Sequence, residues 1–234
     1  MTILVSIDDT DTLNSRGTGR LARSIADTLA ADYPIYGVTR HQLYVHPDIP
    51  YTSHNSCAVI HVEAHGTAAV DTIYDTVEHV ILDDFVEGSD PGMAVASSDQ
   101  VASSLIAFGK DAKCTILTQE KARDLAKNLN IRLKGLGGTE DGVIGAMAGL
   151  GLAVNLNDGR FIQRRKLRDV LGPCSIQQLL AAGVDEVCTI DGRTITSGIV
   201  MNEENKSPKA CPVNGRTILF VEDRDGILTA VKRD

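Results

Sequence analysis

Apolar positions recur along the chain in short blocks that change period from strand-like to helix-like and back. Ile3–Ile7 is a β-branched run with the length of a buried strand. Leu21, Ala22, Ile25 and Leu29 then repeat at helical spacing within Gly19–Ala31. Ile35–Val45 roughly alternates and reads as a second strand, ended by the two prolines of His46-Pro47-Asp48-Ile49-Pro50, which cannot continue a ladder. Cys57–Val62 reads as a third strand, Gly66–Leu82 as a helix and Met93–Ala96 as a short strand. Gln100–Phe108 and Gln119–Asn128 are amphipathic helices, joined by a short strand at Cys114–Leu117. A glycine-rich stretch, Leu133–Gly142, turns into an apolar helix that reaches Ala153, with Thr139 as its expected N-cap. Beyond it Ser175–Ala182 reads as a helix. Val184–Ile190, Thr194–Met201, Thr217–Val221 and Ile227–Val231 read as strands, with Asp191-Gly192 and Asp225-Gly226 as hairpin signals. Strands alternating with helices predict an α+β or α/β layered fold followed by a mostly β tail.

Composition narrows the class. The 234 residues are 43% hydrophobic and 23% charged, ordinary for a soluble globular protein with room for one large domain or two small ones. Aromatic content of 4% without tryptophan argues against a base-stacking platform, and a net charge of −8 argues against a broad nucleic-acid footprint. The five cysteines contain no C-x-x-C pair, so reduced buried thiols are expected. The N-terminus carries no basic region before a long apolar stretch, and no apolar run reaches membrane-spanning length, so the expected location is the cytoplasm and no membrane is expected as a partner.

The chemistry concentrates behind the first strand. Asp8, Asp9 and Asp11 place three carboxylates within four positions. Such a group calls for a cation, and Mg²⁺ suits it, held by one or two carboxylates plus phosphate oxygens. Arg16, Gly17, Thr18 and Gly19 close the following loop at the start of a helix, where backbone N–H groups attract phosphate. The same residue types also serve as plain turn and cap residues. Asp83, Asp84, Glu87 and Asp90 form a second acidic cluster, read either as a solvated loop or as a second wall of a cation site. Glu140 and Asp141 suit an amine or guanidinium ligand, and Gly145 with its small neighbours permits close approach; a tightly packed capped helix explains the same residues equally well. Arg160, Arg164, Arg165, Lys166 and Arg168 form the one basic run, either solvated or in contact with phosphate.

Four stretches taken in order carry a resemblance. I-D-D-T-D at Ile7–Asp11 with its R-G turn, V-H-P-D-I-P-Y at Val45–Tyr51, S-D-P-G-M-A-V at Ser89–Val95 and G-V-I-G-A-M-A-G-L-G at Gly142–Gly151 together resemble the archaeal isoleucine-tRNA agmatinylcytidine synthetases. The resemblance covers roughly the first 150 residues. It implies a kinase-like domain over 1–130 that binds ATP and metal through Asp8, Asp9 and Asp11, and a ferredoxin-like amine-binding domain over 131–234. It puts Gly145 and Ala146 in the amine-binding half and Thr18 beside the position where the family is thought to phosphorylate itself. The chain departs from the family in three places. Arg20 and Leu21 or their neighbours stand where the family has a Thr-Thr pair after the R-G turn, with Thr18 close by. Thr52-Ser53-His54-Asn55-Ser56-Cys57 stands where the family has a basic run, and the family's OB and zinc-ribbon domains have no counterpart in these residues.

The sequence therefore predicts an ATP- and Mg²⁺-dependent enzyme that activates a substrate and joins it to an amine such as agmatine. Asp8, Asp9, Asp11 and Thr18 are its expected catalytic groups. A non-catalytic ligand-binding or regulatory protein that kept the pocket is the first alternative, and a tRNA cytidine-modifying enzyme using Arg164, Arg165 and Arg168 the second. Only weak tRNA binding is expected.

Overall fold

A computed structural model describes residues 1–52 and 54–233. It divides into two units, Met1–Val154 and Asn155–Asp234. In the first unit the chain runs β1 (Thr2–Asp8), α1 (Thr18–Leu29), β2 (Ile35–Gln42), β3 (Ser56–Glu63), α2 (Thr67–Asp83), β4 (Gly92–Ser97), α3 (Ser103–Asp111), α4 (Gln119–Asn128), β5 (Arg132–Gly135) and α5 (Gly142–Ala153). Within this unit the strands lie in the order β5-β4-β1-β3-β2, and every neighbouring pair is antiparallel. The first six elements thus make a βαββαβ unit of the ferredoxin-like kind. The resemblance implies that arrangement after residue 131; it lies instead at the N-terminus.

The alternation of side chains across the sheet explains its two layers of cover. One face carries large residues: Ile3, Val5 and Ile7 of β1, Met93 and Val95 of β4. The other face carries Leu4 and Ser6 of β1 with Gly92, Ala94 and Ala96 of β4, so a helix can come close there. Helix α5 takes that place. It is apolar on all sides, as a helix buried between layers must be, and Ile144 alone of its residues is not fully buried. Its other flank packs on α3, where a Cβ on Gly109 would lie 2.8 Å from the Ala148 carbonyl and one on Gly151 2.1 Å from the Leu105 carbonyl.

Two local expectations change. Cys114–Leu117 is not a strand: α3 winds on into turns, with Cys114 and Thr115 N–H both donating to the Asp111 carbonyl. Thr139 is not a cap, since α5 starts at Gly142 after a turn in which Glu140 takes a φ of 63°. The expected boundary at 130/131 also moves. β5 pairs with β4, and α5 packs on β1 and β4, so both belong to the first unit. The glycines at 135, 137 and 138 mark tight packing, because a Cβ there would meet Glu140, Phe85 and Asp90 respectively.

The second unit contains β6 (Arg160–Gln163), β7 (Cys174–Ser175), α6 (Ile176–Ala181), β8 (Glu186–Thr189), β9 (Ile199–Met201), β10 (Cys211–Val213), β11 (Arg216–Arg224) and β12 (Ile227–Ala230). Its strands follow the path β10-β11-β12-β9-β7, with β8 parallel to β11 on the other side, a curled sheet around Leu179, Val187, Leu219 and Val221. Asn214-Gly215 and Asp225-Gly226 both take positive φ at both positions and close the β10–β11 and β11–β12 hairpins. Asp191-Gly192 closes a turn that bridges Cys188 to Thr194, but β8 and β9 form no ladder. The basic run is built in at two of its five positions, while Arg165, Lys166 and Arg168 are exposed. Arg160 and Arg164 are buried, Arg164 Nε donates to Thr217 Oγ1 at 3.2 Å, and Arg168 Nη1 donates to the Ile162 carbonyl at 3.2 Å. The cysteines are free thiols, with Cys114 exposed against the expectation of burial.

Candidate functional site

Asp8 is the last residue of β1, and its place in the alternation turns it toward α5. A Cβ on Gly145 would lie 1.7 Å from Asp8 Oδ2, so only glycine leaves room for this carboxylate. Gly142 is constrained in the same way: its Cβ would sit 2.7 Å from the Asp8 carbonyl and 2.4 Å from the Gly92 amide. The small-residue pattern of α5 therefore serves close approach to the acidic motif. Asp9 reverses the chain with a φ of 54°. Its carbonyl accepts from the Asp90 amide at 3.1 Å, and the Asp90 carbonyl accepts from Gly142 N–H at 3.0 Å. The loop ahead of β4 thus folds back onto the first acidic motif. Of the second cluster, Asp90 reaches the site, whereas Asp84 meets Arg20 and Asp83 meets His79.

Asp11 is dressed by hydroxyls. Thr18 Oγ1 donates to Asp11 Oδ1 at 2.9 Å and itself accepts from Thr10 Oγ1 at 3.1 Å; Thr52 Oγ1 donates to Asp11 Oδ2 at 3.4 Å. Gly17 caps α1 without a side-chain hydrogen bond, no acidic residue occupies the first turn, and the Asp11 carboxylate lies beside the helix start.

These groups open on one cleft of about 350 Å³. Asp8, Asp9, Asp11, Gly17, Thr18 and Gly19 line it from one side, Asp141, Ile144 and Gly145 from the start of α5. Asp48–Thr52, the segment that breaks after β2, lines it as well. The turns after α3 add Ile116 and Leu117 as apolar wall. Among the expected site residues, Arg16 and Glu140 are not in the lining. Arg16 is exposed, and the Glu140 carboxylate is held by Arg123 Nη2 at 2.5 Å. Asp141 faces the cleft while accepting from Gln119 Nε2 at 2.7 Å. Of the departure from the family's basic run, Thr52 and His54–Cys57 lie on the cleft, and Ser53 falls outside the described residues. Asp48, from the V-H-P-D-I-P-Y stretch, and Arg40, which lies outside every motif, also line it. No sequence pattern marks Arg40; it enters through the register, opposite Ala58, which in turn lies opposite Ile7.

The electrostatics are those of crowded carboxylates. Removal from water, reinforced by the Asp9 charge, pushes the Asp8 carboxyl from its ordinary 3.8 up to about 8, against the opposing pull of the Asp9 amide and Arg40. Removal from water, then Asp90, Asp11 and Asp141, pushes Asp9 up to about 7. Among the described residues no three His, Cys, Asp or Glu side chains converge as a metal cage. Mg²⁺ does not need one, because it is usually held by one or two carboxylates with waters and substrate phosphates. Carboxylates that resist ionising side by side are the donors that gain most from such an ion, so the residues fit it. Among the described residues no helix is long and apolar enough to cross a membrane.

The chain matches no protein-family model, and no curated protein is detectably similar to it. Solved structures do match. The complex of TiaS with its isoleucine tRNA and ATP aligns with a TM-score of 0.56 at 25% identity, over 64% of this chain and 36% of the other. A tRNA fluorescent labeling enzyme aligns at 0.55 and 25%, with the same coverage. Apo TiaS, a tRNA agmatidine synthetase, aligns at 0.55 and 24% over 64% of this chain and 35% of its own. The matched part spans about a third of the length of these proteins. The resemblance carried by four sequence motifs is thus met in three dimensions: among solved structures, this chain is similar to TiaS.

Proposed function

We propose that the first unit binds ATP with Mg²⁺ and uses it to activate a substrate for joining to a small cationic amine such as agmatine. The observation that carries this reading is the convergence on one cleft of Asp8, Asp9 and Asp11, the open N-terminus of α1 and Asp141. The similar TiaS complex with ATP supports the nucleotide. Asp8, Asp9 and Asp11 would hold the ion, which neutralises phosphate charge when bound; phosphoryl transfer then needs mainly positioning. Gly17, Thr18 and Gly19 present the start of α1 to the phosphates. Asp11 orients the Thr18 hydroxyl at 2.9 Å, the reach at which a carboxylate takes the proton of an attacking hydroxyl. The amine falls to Asp141 and not to Glu140, which Arg123 already engages. Ile49, Pro50, Ile116 and Leu117 supply the water-excluding wall.

Calorimetry with ATP and Mg²⁺ tests the reading, with agmatine, arginine and spermidine added in turn. Binding of ATP that a cationic amine strengthens supports it; failure of the wild type to bind Mg²⁺–ATP overturns it. ATP binding without any turnover in the presence of amines favours the non-catalytic alternative.

A further inference from the structure

The cleft carries a charge imbalance that the motifs leave unexplained. Among the described residues, its lining holds five aspartates, Asp8, Asp9, Asp11, Asp48 and Asp141, against one arginine, Arg40, and no lysine. A triphosphate entering such a site meets repulsion that an ion and a helix start relieve only in part. Arg40 comes from β2, half-buried, near the end of the strand, where the register sets it beside Ala58 and so beside the last turn-facing residues of β1. Its Nη2 donates to Gln42 Oε1 at 3.3 Å, and the residue itself lines the cleft. A planar guanidinium binds phosphate through two parallel hydrogen bonds, a geometry that lysine cannot copy.

We propose that Arg40 is a positioning residue for the phosphate chain, and that it makes the cleft select nucleoside triphosphates over nucleosides and monophosphates. The proposal rests on the reading of this cleft as a nucleotide site. It adds a residue to that reading which lies outside every motif of the chain.

The test is Mg²⁺-dependent binding of AMP, ADP and ATP to wild type, Arg40→Gln and Arg40→Lys, each first checked by thermal melting. Arg40→Gln should lose about ten-fold or more in ATP affinity, the scale of one charge-assisted contact, while AMP changes by less than about two-fold. Arg40→Lys should fall between, with its loss again growing from AMP to ATP. A loss of equal size for all three nucleotides overturns the proposal and makes Arg40 a structural residue. ATP affinity unchanged in Arg40→Gln but lost in Asp8→Asn overturns the proposal and leaves the nucleotide site standing. Wild type that binds none of the three nucleotides overturns both. If Arg40→Gln does not fold, the slope across the nucleotides in Arg40→Lys decides, and a flat slope counts against Arg40.

Discussion

The two units differ in net charge and in what happens at one group of carboxylates. Met1–Val154 contains 20 Asp and Glu against 11 Lys and Arg, a net of −9, whereas residues 155–234 hold 11 against 12, a net of +1. The sign matters less than what the carboxylates do. Carboxylates find partners in both units: Asp84 meets Arg20 and Asp71 meets Arg132 in the first, and in the second Asp223 meets Arg193 at 2.5 Å and Glu186 meets Arg216 at 2.9 Å. Arg193 holds the Asp223 carboxyl below its ordinary range, and the Thr194 hydroxyl, followed by Arg216, does the same for Glu186. In the first unit Asp8 and Asp9 crowd together out of water, and both are pushed up. Paired carboxylates with lowered values brace a fold. Buried ones with raised values are groups that a bound cation would draw into the charged form, and that contrast makes the cleft a candidate site.

The contrast breaks most severely at Gly145. Gly145→Ala drives a Cβ into the Asp8 carboxylate, and helix α5 has no room to retreat between the sheet and α3. We expect a loss of about 1–3 kcal/mol in stability, as for overpacking generally, together with loss of Mg²⁺–ATP binding. Thermal melting and calorimetry on the same sample read both. An alanine variant that melts and binds like wild type would show that Asp8 does not need this space.

The next effect is a pair of substitutions of opposite sign. The folded Asp8 carboxyl titrates near 8 and its unfolded counterpart near 3.8, so the native state holds the proton longer. Its contribution therefore falls as pH rises between about 4 and 8. Wild type without ligand should melt lower at pH 8 than at pH 5. Asp8→Asn should flatten that slope, raise the pH 8 melting temperature by several degrees (about 2–4 °C for each 1 kcal/mol at this size) and weaken Mg²⁺–ATP binding. Asp223→Asn removes a partner of Arg193, so it should lower the melting temperature slightly. Its effect, present at neutral pH, should fade only as acid protonates Asp223. Equal pH profiles for Asp8→Asn and wild type would remove the distinction between the units.

The smallest effect concerns RNA. At about 150 mM salt, near the physiological range, total tRNA should bind in the tens of micromolar or more weakly, within the span of non-specific contacts (roughly 10⁻⁴–10⁻⁶ M). Lys166→Glu, at an exposed position, should change this little. Arg164 is unsuitable for such a test because it is buried against Thr217, and glutamate there would disturb folding. Sub-micromolar tRNA binding abolished by Lys166→Glu would restore an RNA-contacting role for the basic run.

Local pattern revealed much of this molecule. β-branched runs found β1 and β3 nearly to the residue, the helix at Gln119–Asn128 matches at both ends, and the acidic motif does stand at a strand end facing a helix start. Strand order is not local, and its absence misplaced the rest. A ligand site at a strand end beside a helix start is the layout of open parallel sheets, yet β1 is antiparallel to both neighbours, and the cleft forms because α5 and the Asp90 loop converge on its end. Arg40 was invisible for the same reason. A carboxylate pair in sequence says nothing about which member faces a cleft: Asp141 lines it, while Glu140 pairs with Arg123.

The contact between Gly145 and Asp8 also constrains the order in which this sequence can change. With aspartate at 8, any side chain at 145 collides with a carboxylate, since the added Cβ would lie 1.7 Å from Oδ2 and 2.5 Å from Cγ. Shortening Asp8 to alanine removes both atoms and leaves only its Cβ, 3.0 Å away, a distance that small shifts accommodate. A lineage that abandons the acidic chemistry first is then free to fill position 145, whereas the reverse order passes through a damaged fold. Glycine at 145 is a ratchet: once it is replaced, aspartate cannot return to position 8.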